Sequence, residues 1–372
     1  MIQTLIMSVF GTILVIACTL LQAYVLWRAS SVPGISRGLF RRILAGAAFL
    51  LWACFVFGRM LEHASGGRAA ATMELIGMNW LAVLFLASTC FLAVDLVTGF
   101  GWILRKAVPS LRAVALFAAC ILSVLAIVQG TRAPVVHDYE VRLRGLPQNQ
   151  KETVIAVLSD LHLGTMTGSH WLEEQVTRTQ HLKPDMIVLL GDLFEGHGAP
   201  AARWLPDLQR LDAPLGVWAV PGNHESYGRQ NSMRVLESAG IHVLQNRWAQ
   251  IRPGLILAGV EDLTSNLRAG KSSNPIAQAL AGKPPGAVIL LSHSPLKLEE
   301  AAAAGVDLML SAHTHGGQIW PFGYLVGLAY PFLEGKHDVR GMTVVISRGT
   351  GTWGPRMRLW HPGEILRIVL HS

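Results

Sequence analysis

No cysteine follows position 120. The four present, Cys18, Cys54, Cys90 and Cys120, all fall in apolar stretches of the first third. The rest of the chain can therefore hold neither a disulfide framework nor a cysteine-ligated metal. A thiol-free domain is also compatible with an oxidising compartment. Charge is scarce too. Of 372 residues, 15% are Asp, Glu, Lys or Arg and 51% are hydrophobic, which is too apolar for a purely soluble protein. The length suits two or three domains. Residues 1–130 carry nine basic and three acidic residues, against 22 and 21 in residues 131–372. The net charge of +7 thus belongs mostly to short N-terminal loops. No basic stripe interleaved with aromatics appears later, so no nucleic-acid partner is expected. Two catalytic signatures are missing as well. There is no Gly-x-Ser-x-Gly elbow. The stretch SNLRAGKS, 265–272, has Ser265 where a phosphate loop needs its first glycine, and we reject it.

What the first third does contain is long apolar runs. Residues 2–27 hold no charge and are long enough to cross a bilayer. They lack a basic leader and a small-residue cleavage site, which predicts an uncleaved helix. Further runs at about 43–60, 75–94 and 113–130 complete four expected spans within a membrane region of residues 1–132. Arg28, Arg37, Arg41 and Arg42 follow the first run, and Arg105, Lys106 and Arg112 follow the third. Positive loops stay inside, so both termini are expected outside, with the C-terminal domain periplasmic or extracellular. Gln22, Asn79 and Asp95 are the notable polar residues, at or near span ends. Charge pairs inside the spans look absent, so the bundle reads as an anchor rather than a transport pathway.

Residues 133–150 read as a linker and first strand, and 151–372 as a separate domain. Short apolar runs there end repeatedly in metal-ligand residue types. Thr153–Leu158 leads to Asp160 and His162, Met186–Leu190 to Asp192, and Val217–Val220 to Asn223, His224 and Glu225. Ala287–Leu291 leads to His293, and Leu308–Leu310 to His313 and His315. Continuous apolar runs predict strands buried on both faces. Trp171–Leu182 and Leu298–Ala304, stopped by Gly305, supply helices between them. In α/β sheets, ligands bind beyond the carboxyl ends of strands. Each ligand candidate alone has a local explanation as a cap, turn residue or core histidine. Five in succession point to one crevice holding two carboxylates, a carboxamide and several imidazoles. Such N and O donors suit zinc, manganese or iron, and the carboxylates are too few for a calcium cage.

The ordered set Asp160-x-His162, Gly191-Asp192, Gly222-Asn223-His224-Glu225, His293 and His313-x-His315 resembles the calcineurin-like metallophosphoesterase superfamily. The motifs SHSP, HTHGGQIW and SRGTGTWGP resemble its membrane-associated bacterial subgroup, which carries N-terminal transmembrane helices. Ala312 departs from that pattern, where a glycine is usual. The resemblance implies a four-helix membrane region followed by a four-layer α/β/β/α sandwich, in an integral protein of a bacterial inner or cell membrane. It also implies two divalent ions (Mn, Fe or Zn). Asp160, His162 and His315 would bind the first ion, Asn223, His293 and His313 the second, and Asp192 would bridge them. It implies hydrolysis of a phosphomono- or phosphodiester by a hydroxide between the ions, with His224 contacting the phosphate and protonating the leaving oxygen. Glu225 is expected to be structural, and His197 a loop residue near the pocket.

Residues two apart in extended chain face the same way, about 6.6–6.8 Å apart. His313 and His315 can therefore serve neighbouring ions before Gly316-Gly317 turns the chain. The run after them is crowded with Trp320, Phe322, Tyr324, Leu325, Leu328 and Tyr330. It reads either as ordinary packing or as an apolar wall beside the site for lipid acyl chains, with Trp320 and Phe322 as substrate contacts. A phospholipid or envelope phosphoester is the leading substrate class. Soluble nucleotides or phosphate esters are the alternative. A non-catalytic sensor on the same fold is the third reading.

Overall fold

In the computed structural model, residues 2–35, 38–64, 67–143, 145–147, 152–165, 167–195, 200–227, 232–270 and 274–372 are described, without the side chains of residues 2–10, 63 and 64. His197, and Lys271 and Ser272 of the rejected phosphate loop, lie outside them. Two compact units result. One is Met1–Thr131 with Gly354–Leu359, the other Arg132–Trp353 with Trp360–Ser372.

Among the described residues, the first unit holds four α-helices, α1 (Ile2–Ala29), α2 (Gly38–Ala64), α3 (Arg68–Val97) and α4 (Val108–Thr131). Each contains a stretch long and apolar enough to cross a membrane. Two helices run well past the apolar windows read from sequence. α2 includes Arg41, Arg42 and Arg59, because long basic side chains are good helix formers that can reach water from the ends of a span. Arg59 pairs with Glu74 across α2 and α3 at 3.6 Å. α3 packs against the other three helices. Gly77 brings α3 so close to α2 that a Cβ there would strike the Phe55 backbone, as expected where helices meet without a hydrophobic driving force. Cys18, Phe55, Leu84, Phe91 and Ala119 form the interior. Leu20, Phe49 and Phe117 face outward. Helices apolar all round suit a bilayer.

The expectation that the helices lack charge pairs is wrong. Asp95 is fully buried, 2.6 Å from Arg28 Nε and 3.0 Å from Arg112 Nη2. The other two polar residues act locally. Gln22 Oε1 accepts from Trp80 Nε1, and Asn79 Oδ1 accepts from the Arg356 amide.

Among the described residues, the second unit contains two six-stranded sheets. Its strands are β1 (Val135–Arg142), β2 (Thr153–Leu158), β3 (Met186–Leu189), β4 (Val217–Ala219), β5 (His242–Val243), β6 (Arg247–Arg252), β7 (Leu255–Gly259), β8 (Ala287–Leu291), β9 (Leu308–Ser311), β10 (Gly335–Val339), β11 (Met342–Ile346) and β12 (Glu364–His371). One sheet has the order β1-β12-β2-β3-β4-β5, the other β10-β11-β9-β8-β7-β6. β2, β3, β4 and β5 are mutually parallel, as are β7, β8, β9 and β11. Their carboxyl ends therefore share an edge within each sheet, which is where sequence places the ligand types.

Side-chain alternation builds the layers. Val157, Val188, Ile289, Leu310 and Val345 pack between the sheets. The opposite face of the first sheet, through Ala156, Ile187 and Leu189, covers Leu172 and Val176 of α5 (Ser169–His181). The opposite face of the second, through Val288, Leu290 and Met309, covers Ile276, Leu298 and Ala301. These are four layers in the order helix, sheet, sheet, helix. Ala312 is fully buried among the residues between the sheets, so its methyl group has a packing role there.

Candidate metal centre

The structure brings the strand-end residues together. Three sets of candidate ligand atoms each lie within 4.8 Å of one another. One comprises Asp160, His162 and His315, a second Asp192, His293 and His313, and a third His162, Asp192 and His224. Asp160 Oδ1 lies 3.3 Å from His315 Nε2, which is 3.3 Å from His162 Nε2. In the second set, His293 Nε2 lies 3.2 Å from Asp192 Oδ2 and 3.0 Å from His313 Nδ1. Asn223 follows β4 beside Asp192. The intervening Gly222 has no room for a Cβ, which would collide with Asp192 Oδ1.

Backbone geometry marks the same residues. Asp160, His162, Asp192, His313 and His315 all have positive φ, between 46° and 72°. For residues other than glycine such conformations cost roughly 1–3 kcal/mol each and cluster at functional sites. Glu225 fixes part of this geometry. Its carboxylate accepts from the amides of Asp192 (2.9 Å), Leu193 (2.8 Å), Phe194 (3.1 Å) and Gly222 (2.8 Å). Burial, then the Asp192 charge, push its pKa up.

The electrostatics call for positive charge. Burial works against ionised Asp160, but His315 outweighs it and the carboxyl sits below its usual range. Asp192 is likewise held well down by His293 and His224 against the cost of burial. Burial opposes charge on His162, yet Glu195, Asp192 and Asp160 lift it to about 9. Burial and the neighbouring His293 push His313 down to about 4. Imidazolium charges, or a divalent ion in their place, offset two ionised carboxylates inside a buried cluster.

The donors fit a metal by a further criterion. Asn223 Oδ1 is buried and accepts no hydrogen bond from the described residues. An unpaired buried acceptor costs about 1–3 kcal/mol unless a ligand satisfies it. His293 Nδ1 is 2.6 Å from the Leu190 carbonyl, which can only accept. Nδ1 therefore carries a proton, which leaves Nε2 as the atom that faces Asp192 and His313 and that a metal would take, the usual arrangement of a metal-binding histidine.

Several contributors are not apparent in sequence. Glu195 Oε1 lies 3.4 Å from His162 Nδ1, and its Oε2 lies 3.7 Å from His224 Nδ1. Gly349, beyond β11, passes so near that a Cβ would be 2.9 Å from Asp160 Cβ, which accounts for the first glycine in SRGTGTWGP. Trp320 and Phe322 are 36% and 40% exposed, and Trp320 packs against Trp360 with ring centroids 4.9 Å apart. The aromatic that reaches the cluster is Tyr330, 5.4 Å from His313. His170 and His181 stay on α5, paired with Glu174 and the Thr177 carbonyl.

The layered fold and this His/Asp/Asn cluster define a metallophosphoesterase domain. The profile of the calcineurin-like phosphoesterases matches residues 153–317. An uncharacterized metallophosphoesterase of Aquifex aeolicus is 33% identical over 239 residues, covering 63% of this chain and 91% of its own. The chain belongs to the calcineurin-like metallophosphoesterase family. It is also similar to proteins named transmembrane protein with metallophosphoesterase domain from Bos taurus (32% over 276 residues, 70% of this chain) and Danio rerio (33% over 269 residues, 69%). It spans 62% of the length of each. With the four apolar helices, these relatives support a membrane protein.

Proposed function

We propose that the chain is a membrane-anchored, metal-dependent phosphoesterase whose catalytic unit faces the periplasm or cell exterior. The observation that carries this reading is the convergence of two carboxylates and five imidazoles, with the buried Asn223 acceptor beside them, at the carboxyl ends of parallel strands. Asp160, His162 and His315 would hold one divalent ion, Asn223, His293 and His313 a second, and Asp192 would touch both. Such ions supply Lewis acidity toward phosphoryl oxygens and lower the pKa of bound water.

The chain's own groups orient the reaction. Glu225 fixes the Asp192 turn through four amides, and the His224 amide donates to Asp192 Oδ1 at 2.9 Å. His224 Nδ1 lies 3.2 Å from the Glu195 carbonyl. If Nδ1 donates there, Nε2 is left to face a phosphate oxygen or the leaving group, as a general acid must. Side chains of Trp320, Phe322, Tyr324 and Leu328 remain exposed after the last ligand. This apolar surface supports a lipid or envelope phosphoester as substrate.

The purified protein in detergent should hydrolyse an aryl phosphodiester or phosphomonoester with Mn²⁺ and lose that activity to a chelator. Trp320→Ser with Phe322→Ser should lower turnover of a phospholipid in mixed micelles and spare the aryl ester. Equal loss on both sinks the lipid assignment, and activity untouched by chelation sinks the metal mechanism.

A further inference from the structure

The helical unit contains a charge cluster that anchoring does not require. Arg28 lies in the last turn of α1, Asp95 near the end of α3 and Arg112 near the start of α4. The Asp95 carboxylate is engaged at both oxygens. Oδ2 takes Arg28 and the Tyr24 hydroxyl (2.7 Å), and Oδ1 takes Arg112. Arg112 Nη1 donates to Ser31 Oγ at 2.9 Å. Two guanidiniums on one carboxylate leave one positive charge unmatched. Both arginines are more than nine-tenths buried. Arg28 Nη2 and Arg112 Nε are buried and donate to no acceptor among the described residues. A buried cation with spare N–H groups calls for an anion with several acceptor oxygens.

The surroundings indicate where that anion comes from. The loop from Thr98 to Ala107 exposes Phe100, Trp102, Ile103 and Leu104 and then Arg105 and Lys106. Trp27, 60% exposed, stacks on the Arg28 guanidinium with its centroid 3.5 Å away, and Phe100 lies 5.9 Å away. Exposed aromatics beside basic residues at the ends of apolar helices belong at a membrane interface. Basic pockets between membrane helices take lipid headgroups. We propose that Arg28 and Arg112 bind the phosphate of an anionic membrane lipid, beneath the aromatic cover of Trp27 and Phe100. The assignment rests on the helical unit alone and stands or falls separately from the phosphoesterase reading.

Thermal unfolding of the full-length protein in a neutral detergent tests it, with phosphatidylglycerol, phosphatidylcholine or inorganic phosphate titrated in. Phosphatidylglycerol should raise Tm saturably and the other two should not. Arg112→Gln should weaken that response about tenfold, the effect of one charge-assisted hydrogen bond. Arg105→Gln with Lys106→Gln, which removes only exposed charge, should leave it nearly intact. If Arg112→Gln does not fold, Arg112→Lys and the wild-type titration decide. An equal shift with phosphatidylcholine overturns the proposal. So does an equal shift with inorganic phosphate, or equal weakening by the Arg105/Lys106 pair.

Discussion

Replacing Glu225 with glutamine keeps its shape and removes its charge. The carboxylate accepts four backbone N–H groups, two at each oxygen. A glutamine keeps one oxygen and turns an NH₂ toward the other two donors, so two charge-assisted hydrogen bonds are lost and donors face donors. Such bonds contribute about 1.5–3 kcal/mol each, giving a loss of roughly 3–6 kcal/mol. In a unit of this size 1 kcal/mol moves Tm by about 2–4 °C, so the fall should be at least about 6 °C. Two of the four amides belong to Asp192 and to Gly222 before Asn223, so metal retention should fall with stability. Differential scanning fluorimetry of wild type and Glu225→Gln, with metal content measured on the same samples, checks both. A Tm within about 2 °C of wild type with unchanged metal would refute the argument that Glu225 organises this turn.

Gly349→Ala should lower metal content and turnover, because its φ of +80° and a Cβ 2.9 Å from that of Asp160 act together. Gly305→Ala has the same φ with nothing within 4 Å, so it should cost only about 1 kcal/mol of stability and leave turnover intact. Equal loss of turnover in both would remove Gly349 from the site. Glu334 lies 3.1 Å from His361 Nδ1 and 3.5 Å from Arg348 Nε. Burial opposes its charge, but His361 and Arg348 hold its pKa below the usual value. A depressed carboxyl stabilises the fold above the unfolded pKa of about 4.3 and loses that contribution as pH falls through the folded value. Glu334→Gln should therefore lower Tm at neutral pH, with the gap closing below about pH 4. A gap that persists in acid assigns the loss to packing.

The candidate cluster was legible because the chain order of strand ends carries it. In a parallel sheet every carboxyl end lies on one side, so Asp160, Asp192, Asn223, His293 and His313 could be grouped from sequence. The β2 and β8 boundaries are those read from the apolar runs, and β3 and β4 stop one residue sooner. Positive φ at five of the candidate ligands was not legible, since only glycine advertises that conformation. Glu195 and Gly349 join through long-range contacts that no local spacing encodes. The Asp95 cluster stayed hidden because Arg28 and Arg112, far apart in sequence, count as loop charges until α1, α3 and α4 pack. Tyr330, whose ring lies 5.4 Å from that of His313, reaches the cluster through a fold of the chain after Phe322 that spacing does not encode.

Metal content per chain, measured with turnover on purified wild type and Asp192→Asn, tests the central claim most directly. Asp192 is the carboxylate proposed to touch both ions. Wild type should carry about two divalent ions per chain. Asp192→Asn should carry one or none and lose at least about a hundredfold in turnover. Wild-type protein that hydrolyses phosphoesters without bound divalent metal would contradict the account. So would an Asp192→Asn variant with undiminished metal and turnover.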